Sequence, residues 1–121
     1  MHTFIIIKPD AIRRRLIGKI IARFEFYTAR IVRIDTKIKG RQWFDAHYEH
    51  LVLPMSKLNR IAAFMCNTPL IGIVLKADVD VVRRLTLRFR DDFKAIGYCN
   101  LIHAADSQEA ADREIKLFFE E

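Results

Sequence analysis

Three features of the sequence predict an α+β fold, an α/β sandwich built on a four-stranded antiparallel sheet. Short apolar runs rich in β-branched residues alternate with stretches whose apolar positions recur at helical spacing. Two of the short runs, Phe4–Ile7 and Leu70–Leu75, are apolar almost without a break, as strands buried on both faces are. The 121 residues contain no repeat or low-complexity linker and suffice for one core but not two, which predicts a single domain over 1–121.

Taken in order, Thr3 to Lys8 reads as a buried strand stopped by Lys8-Pro9, so Lys8 stands at its C-terminal end. From Leu16, the positions Leu16, Ile17, Ile20, Ile21 and Phe24 share one side of a helix ending near Tyr27, with Lys19 and Arg23 opposite. Ile31 to Ile38 alternates, Ile31, Arg33, Asp35 and Lys37 against Val32, Ile34, Thr36 and Ile38, as a half-exposed strand does. Gly40 breaks the chain, and Gln42–Leu51 and Pro54–Met65 read as two helices around the Pro54 interruption. After Asn67-Thr68-Pro69, Leu70–Leu75 is the second buried strand. Asp78 or Asp80 caps a helix through Val81, Val82 and Leu85, and Arg83, Arg84, Arg88 and Arg90 crowd its continuation. Gly97–Ala104 reads as the last strand and Ser107–Phe119 as the last helix. The order β-α-β-α-α-β-α-β-α contains β-α-β-β-α-β, the ferredoxin-like plan, in which the first and third strands are central.

The net charge of +6, from 21 Lys and Arg against 15 Asp and Glu, favours anionic partners such as nucleotides, nucleic acid or an acidic surface. No apolar run approaches a membrane span, and the basic Arg13-Arg14-Arg15 follows the first apolar run instead of preceding it as in a secretory leader. A cytoplasmic protein is the expectation. Cys66 and Cys99 lie in apolar surroundings without zinc-site spacing, so free thiols are expected.

The segment Asn100-Leu101-Ile102-His103-Ala104-Ala105-Asp106-Ser107 carries the histidine of most interest. Asp106 with Glu109 reads as a capping box, which sets His103 near the positive end of a helix, where an anion is welcome. Two readings stand: a histidine working beside bound phosphate, or one that merely ends a strand. Glu114 bears on the choice. On a helix it falls within about 40° of Phe118 and about 60° of Ala111, on the buried side, where a carboxylate needs a partner. His103 is one candidate, and a carboxylate holding an imidazole orients it for nucleophilic work. Arg113 or Lys116 at the helix rim is the other. Lys8 either supports a phosphate or solvates the strand end, and His47 and Tyr48 sit on a helix where rings mostly pack. The arginines from Arg83 to Arg90 suit phosphoryl transfer if the fold brings them to the histidine.

These pieces together resemble a known family. Thr3-Phe4-Ile5-Ile6-Ile7-Lys8-Pro9-Asp10 resembles the opening of a nucleoside diphosphate kinase, and Leu16-Ile17-Gly18-Lys19-Ile20-Ile21-Ala22-Arg23-Phe24-Glu25 continues the likeness. His47-Tyr48, Val82-Arg83-Arg84-Leu85, Arg90-Asp91-Asp92-Phe93, the Asn100–Ser107 segment and Glu114-Ile115 follow in that family's order, so the resemblance covers nearly the whole chain. It implies that His103 takes the terminal phosphate of a nucleoside triphosphate and passes it to a diphosphate in a ping-pong cycle, with Glu114 orienting the ring. Lys8, Tyr48, Arg90 and Asn100 correspond to residues that hold phosphates or sugar hydroxyls and poise the histidine. Arg83 corresponds to a further phosphate-binding arginine, or Arg84 if the alignment slips by one. The implied partners are nucleoside di- and triphosphates, with magnesium (Mg2+) arriving on the nucleotide phosphates and no metal site of the protein's own. The implied assembly is a homodimer at least, on which a tetramer or hexamer can be built, and neither a membrane nor a nucleic acid is required.

Three departures from the family pattern stand out. The long loop between Arg83 and Arg90 is largely missing, and Thr86 does not match the family's phosphate-contacting threonine. Leu53 to Arg60 holds Pro54, Met55 and Leu58 but no Phe or Tyr for a base to stack on, and Ala105 replaces a serine before the aspartate. Base discrimination different from that of longer relatives is therefore expected. The same departures, with the positive charge, leave a second reading: a nucleotide- or nucleic-acid-binding module on this fold with reduced or lost kinase activity.

Overall fold

The structure, a computed structural model, describes residues 1–27, 30–49 and 51–120. Along the chain run β1 (Thr3–Ile7), α1 (Pro9–Arg13), α2 (Ile17–Tyr27), β2 (Arg30–Ile38), α3 (Arg41–Tyr48), α4 (Met55–Met65), β3 (Pro69–Lys76), α5 (Val79–Asp92), β4 (Ile102–Ala104) and α6 (Gln108–Phe119). The strands form one antiparallel sheet in the order β2-β3-β1-β4, so the first and third strands are central, as the ferredoxin-like plan requires.

Both faces of the sheet are covered, which explains the unbroken apolar runs. Ile5 and Ile7 of β1 pack with Ile20, Phe24, Val82 and Phe89 beneath α2 and α5. Phe4 and Ile6, pointing the other way by strand alternation, join Trp43, Phe44, Met65 and Phe118 from α3, α4 and α6. On β3 the second layer comes so close that a Cβ on Gly72 would lie 2.3 Å from the Phe118 ring, so only glycine fits there.

Several boundaries differ from the sequence reading, each for a local reason. Pro9 does not merely stop β1; it is the first residue of the short helix α1, where its missing N–H costs nothing. The first mid-chain helix ends at Tyr48, short of the expected Leu51. The last strand holds Ile102–Ala104 instead of Gly97–Ala104. Gly97 at φ +57° and an isolated bridge between Ile96 and Cys99 turn the chain there, and Leu101 at φ +73° lies in the left-handed region. Ser107, and not Asp106, caps α6: its Oγ accepts the Ala110 N–H at 3.0 Å. Asp78 caps α5 by accepting the Asp80 N–H. Strand β2 is more exposed than half: a register shift between Ile31 and Arg33 interrupts its pairing, and Val32, Ile34 and Ile38 are 46%, 47% and 65% exposed.

Candidate active site

His103 lies on the edge strand β4 with Ile6 as its cross-strand partner. Phe4, Ile6 and Lys8 are alternate residues on one face, so the sheet presents His103 and Lys8 to the same layer, that of α3, α4 and α6. Each helix of that layer contributes a neighbour. Glu114 of α6 is buried, as its helix position predicts, and its Oε1 lies 2.6 Å from His103 Nε2. Its other oxygen, Oε2, is 3.7 Å from an Arg113 guanidinium nitrogen, so His103 and, of the two rim candidates, Arg113 are both engaged. From α3, the His47 ring meets His103 edge-on with centroids 4.7 Å apart, and the Tyr48 ring stands 6.5 Å away. The Tyr48 hydroxyl donates to Met65 Sδ at 3.4 Å, and burial, reinforced by the Glu114 charge, holds the phenol well above its usual pKa. It remains a protonated donor.

Lys8 is 4% exposed. Its Nζ donates to the Tyr98 carbonyl at 2.7 Å and to Asn100 Oδ1 at 2.8 Å, which commits two of three ammonium protons. Burial brings its pKa from 10.5 down to about 8, with Asp10 acting in the opposite direction. Phe64 of α4 lies beside it, 5.7 Å from Nζ to the ring centroid, four residues beyond the Leu53–Arg60 stretch that holds no Phe or Tyr. Asn100 is thus placed with Lys8. Arg90 is placed with the same backbone: Nε donates to the Asn100 carbonyl at 3.1 Å and Nη2 to the Ile102 carbonyl at 2.5 Å. Burial lowers the Arg90 pKa, and the guanidinium grips the segment that leads into His103.

The family's long loop between Arg83 and Arg90 is missing, as the sequence indicates, and α5 runs unbroken through both residues. Seven residues are about two turns, so both arginines lie on one face of α5 and line a cavity of about 150 Å³ with Ala104 and Asp106. Arg84 faces a different groove. Thr86 is buried and its Oγ1 donates to the Val82 carbonyl at 2.8 Å, so its hydroxyl is committed to the helix.

Two contributors escaped the sequence reading. Asp10 is buried, and its Oδ2 accepts the Leu101 N–H at 3.0 Å, fixing the left-handed residue two places before His103. Such a backbone conformation costs about 1–3 kcal/mol and persists where its surroundings dictate it. An acid in the first turn after Pro9 was the available signal. The other is His47, which with His103 and Glu114 forms a group whose ligand atoms lie within 4.8 Å of one another.

Chemically, a carboxylate on one imidazole nitrogen, a buried ammonium and arginines on one side suit the handling of a phosphoryl group. The whole chain, residues 1–121, matches the family model described as nucleoside diphosphate kinase. The chain belongs to that family. It is 37% identical to a nucleoside diphosphate kinase of Methanocaldococcus jannaschii, over 99% of this chain and 94% of the relative. A Pyrococcus horikoshii nucleoside diphosphate kinase is 38% identical, over 98% and 84%. The 132 positions aligned with the first exceed this chain's 121 residues, so that relative carries residues missing here. A crystal structure of the Encephalitozoon cuniculi nucleoside diphosphate kinase superposes with a TM-score of 0.89 at 30% identity, covering 99% of this chain and 89% of that one. The family's members are phosphotransferases acting on nucleoside di- and triphosphates, and this chain's activity is transfer of a terminal phosphate between them.

Proposed function

We propose that His103 is the residue through which the phosphate passes and that Nδ1 is the reacting atom. The observation that carries this is the 2.6 Å contact between His103 Nε2 and Glu114 Oε1. With the carboxylate accepting the Nε2 proton, the neutral ring keeps its lone pair on Nδ1. That lone pair attacks the terminal phosphorus of a nucleoside triphosphate, a P–N bond forms, and the bond to the bridging oxygen breaks with its electron pair leaving on the diphosphate. The ring becomes cationic, and Glu114 stabilises it. A terminal oxygen of a second diphosphate then attacks the phosphorus and returns the electron pair to Nδ1.

The remaining side chains position and neutralise. Lys8 offers its third ammonium proton to phosphate, with Asn100 holding it. Arg83, on the Arg90 side of α5, meets the polyphosphate, and Arg84 does not. Arg90 steadies the Asn100–Ile102 backbone and lines the same cavity as Arg83, while the Tyr48 ring flanks His103. Magnesium enters as part of the nucleotide substrate. It prefers oxygen ligands, whereas His47, His103 and Glu114 present two nitrogens and one carboxylate, a donor set for a softer ion.

A homodimer is also proposed. Edge strand β2 leaves one side unpaired and exposes Val32, Ile34 and Ile38, which a second copy can cover.

The test of the site is direct. ATP labelled on its terminal phosphate, given with magnesium, is expected to leave an acid-labile label on the protein that a nucleoside diphosphate removes. His103→Ala is expected to take no label and to lose roughly 10⁴-fold or more in transfer rate. An unlabelled wild type, or a labelled His103→Ala, sinks the assignment and leaves the binding-module reading.

A further inference from the structure

Helix α5 carries a second set of arginines on its other side. At about 100° per residue, Arg83 and Arg90 fall on one stripe, while Val81, Arg84, Leu85, Arg88 and Asp92 fall on a stripe about 100–200° around from Arg83. This second stripe forms one wall of a groove of about 470 Å³, and Arg23 and Tyr27 of α2 form the opposite wall. No residue of the His103 site lines it.

The groove combines a fixed floor with unspent charge. Arg23 pairs with Asp92 at 2.7 Å and lies over the Phe89 ring at 5.0 Å, so these two charges cancel and brace α2 against α5. Arg84 and Arg88, one turn apart and exposed, make no ion pair or hydrogen bond among the described residues. Val81 and Leu85 supply apolar surface between them and α2. Tyr27 is 60% exposed, lines the groove, and meets the Phe26 ring edge-on at 4.8 Å, so an aromatic ring stands at the groove's side. Two adjacent guanidinium groups suit a run of phosphates, and an exposed aromatic ring suits a heterocyclic base.

We propose that this groove is a second binding site for a nucleoside phosphate, with Arg84 and Arg88 on its phosphates and Tyr27 stacked on its base. The same chemistry is offered by a free nucleotide and by one nucleotide of a single strand, and the test separates them. Because the site shares no residue with the His103 machinery, it stands or falls independently of the assignment above.

Equilibrium dialysis with radiolabelled β,γ-methylene ATP, whose terminal phosphate cannot be transferred, counts the sites. Wild type is expected to bind two molecules per chain at up to 1 mM ligand, and Arg84→Glu/Arg88→Glu one, with transfer between ATP and a diphosphate unchanged. Lys57→Glu/Lys76→Glu, the same charge change at exposed positions elsewhere, is expected to keep two. Tyr27→Ala is expected to weaken the second site at least tenfold for the analogue and to leave inorganic tripolyphosphate binding there unaltered. Displacement of the second molecule by a 12-residue oligothymidylate at lower concentration than by ATP identifies a strand as the occupant. The reverse order identifies a free nucleotide. With a strand, the slope of log affinity against log salt is expected to flatten by about 1.4 in Arg84→Glu/Arg88→Glu, for two lost phosphate contacts. One site per chain in wild type, two in Arg84→Glu/Arg88→Glu, or an equal loss in Lys57→Glu/Lys76→Glu overturns the proposal.

Discussion

At one edge of the sheet, β2 runs nine residues beside β3 and is held by backbone pairing along most of its length. At the other, β4 has three residues, and much of what holds the chain there is side chain: Lys8 on Asn100, Asp10 on Leu101, Arg90 on the Asn100 and Ile102 carbonyls, Glu114 on His103. The long edge is exposed and carries none of the candidate site residues, while the short one is buried at Ile102, half-buried at His103 and Ala104, and carries the histidine. Backbone ladders tolerate changes of side chain because they do not depend on them, whereas a segment pinned by Lys8 and by side chains from α1, α5 and α6 is positioned finely and is vulnerable at each pin. Catalytic placement needs the second kind of construction, since small misplacements of a reacting group are costly in rate.

The sharpest way to break the contrast is at Glu114. Glu114→Gln keeps the shape but removes the charge proposed to stabilise the phosphorylated ring, and kcat is expected to fall roughly 10²- to 10⁴-fold with nucleotide KM little changed, in steady-state transfer assays. A retained kcat would mean that the contact is packing only.

Asp10→Ala comes next. It leaves the buried Leu101 N–H without its acceptor and lets the left-handed residue relax, so urea unfolding is expected to show a loss of about 1–3 kcal/mol. The companion change on the other edge, Thr36→Ala, is expected to cost under about 0.5 kcal/mol, as exposed substitutions do. Equal losses at the two edges would erase the distinction.

A smaller effect is expected from pH. Below about 8 the Lys8 ammonium is charged and suits the phosphate contact proposed for it; above it the amine is neutral and does not. Because kcat/KM reports groups of the free enzyme, it is expected to decline through about pH 8, and Lys8→Arg is expected to move that limb upward. A flat profile to pH 10 would remove Lys8 from phosphate binding.

A modest effect on the fold is expected at the long edge. Ile34→Asp is expected to shift the sedimentation coefficient towards monomer while lowering the stability of the monomer by only about 1 kcal/mol, because the side chain is already half in solvent. An unaltered oligomer would place the contact elsewhere.

What the sequence determined by itself was whatever depends on local period and spacing. The unbroken runs at Phe4–Ile7 and Leu70–Leu75 marked the two central strands, because only strands covered on both faces can be apolar throughout. The wheel position of Glu114 marked a buried carboxylate before any partner was visible. Tertiary structure decided what depends on contacts between distant residues. The last strand shrank to Ile102–Ala104 because pins from Lys8, Asp10 and Arg90, each remote in sequence, override the strand propensity of its apolar residues. The arginine run from Arg83 to Arg90 was legible as charge and the missing loop as spacing, yet which arginine faced which side was settled only when α5 packed against the sheet. His47 looked like packing and proved to be packed on His103 itself, a contact between two elements whose meeting no periodicity encodes.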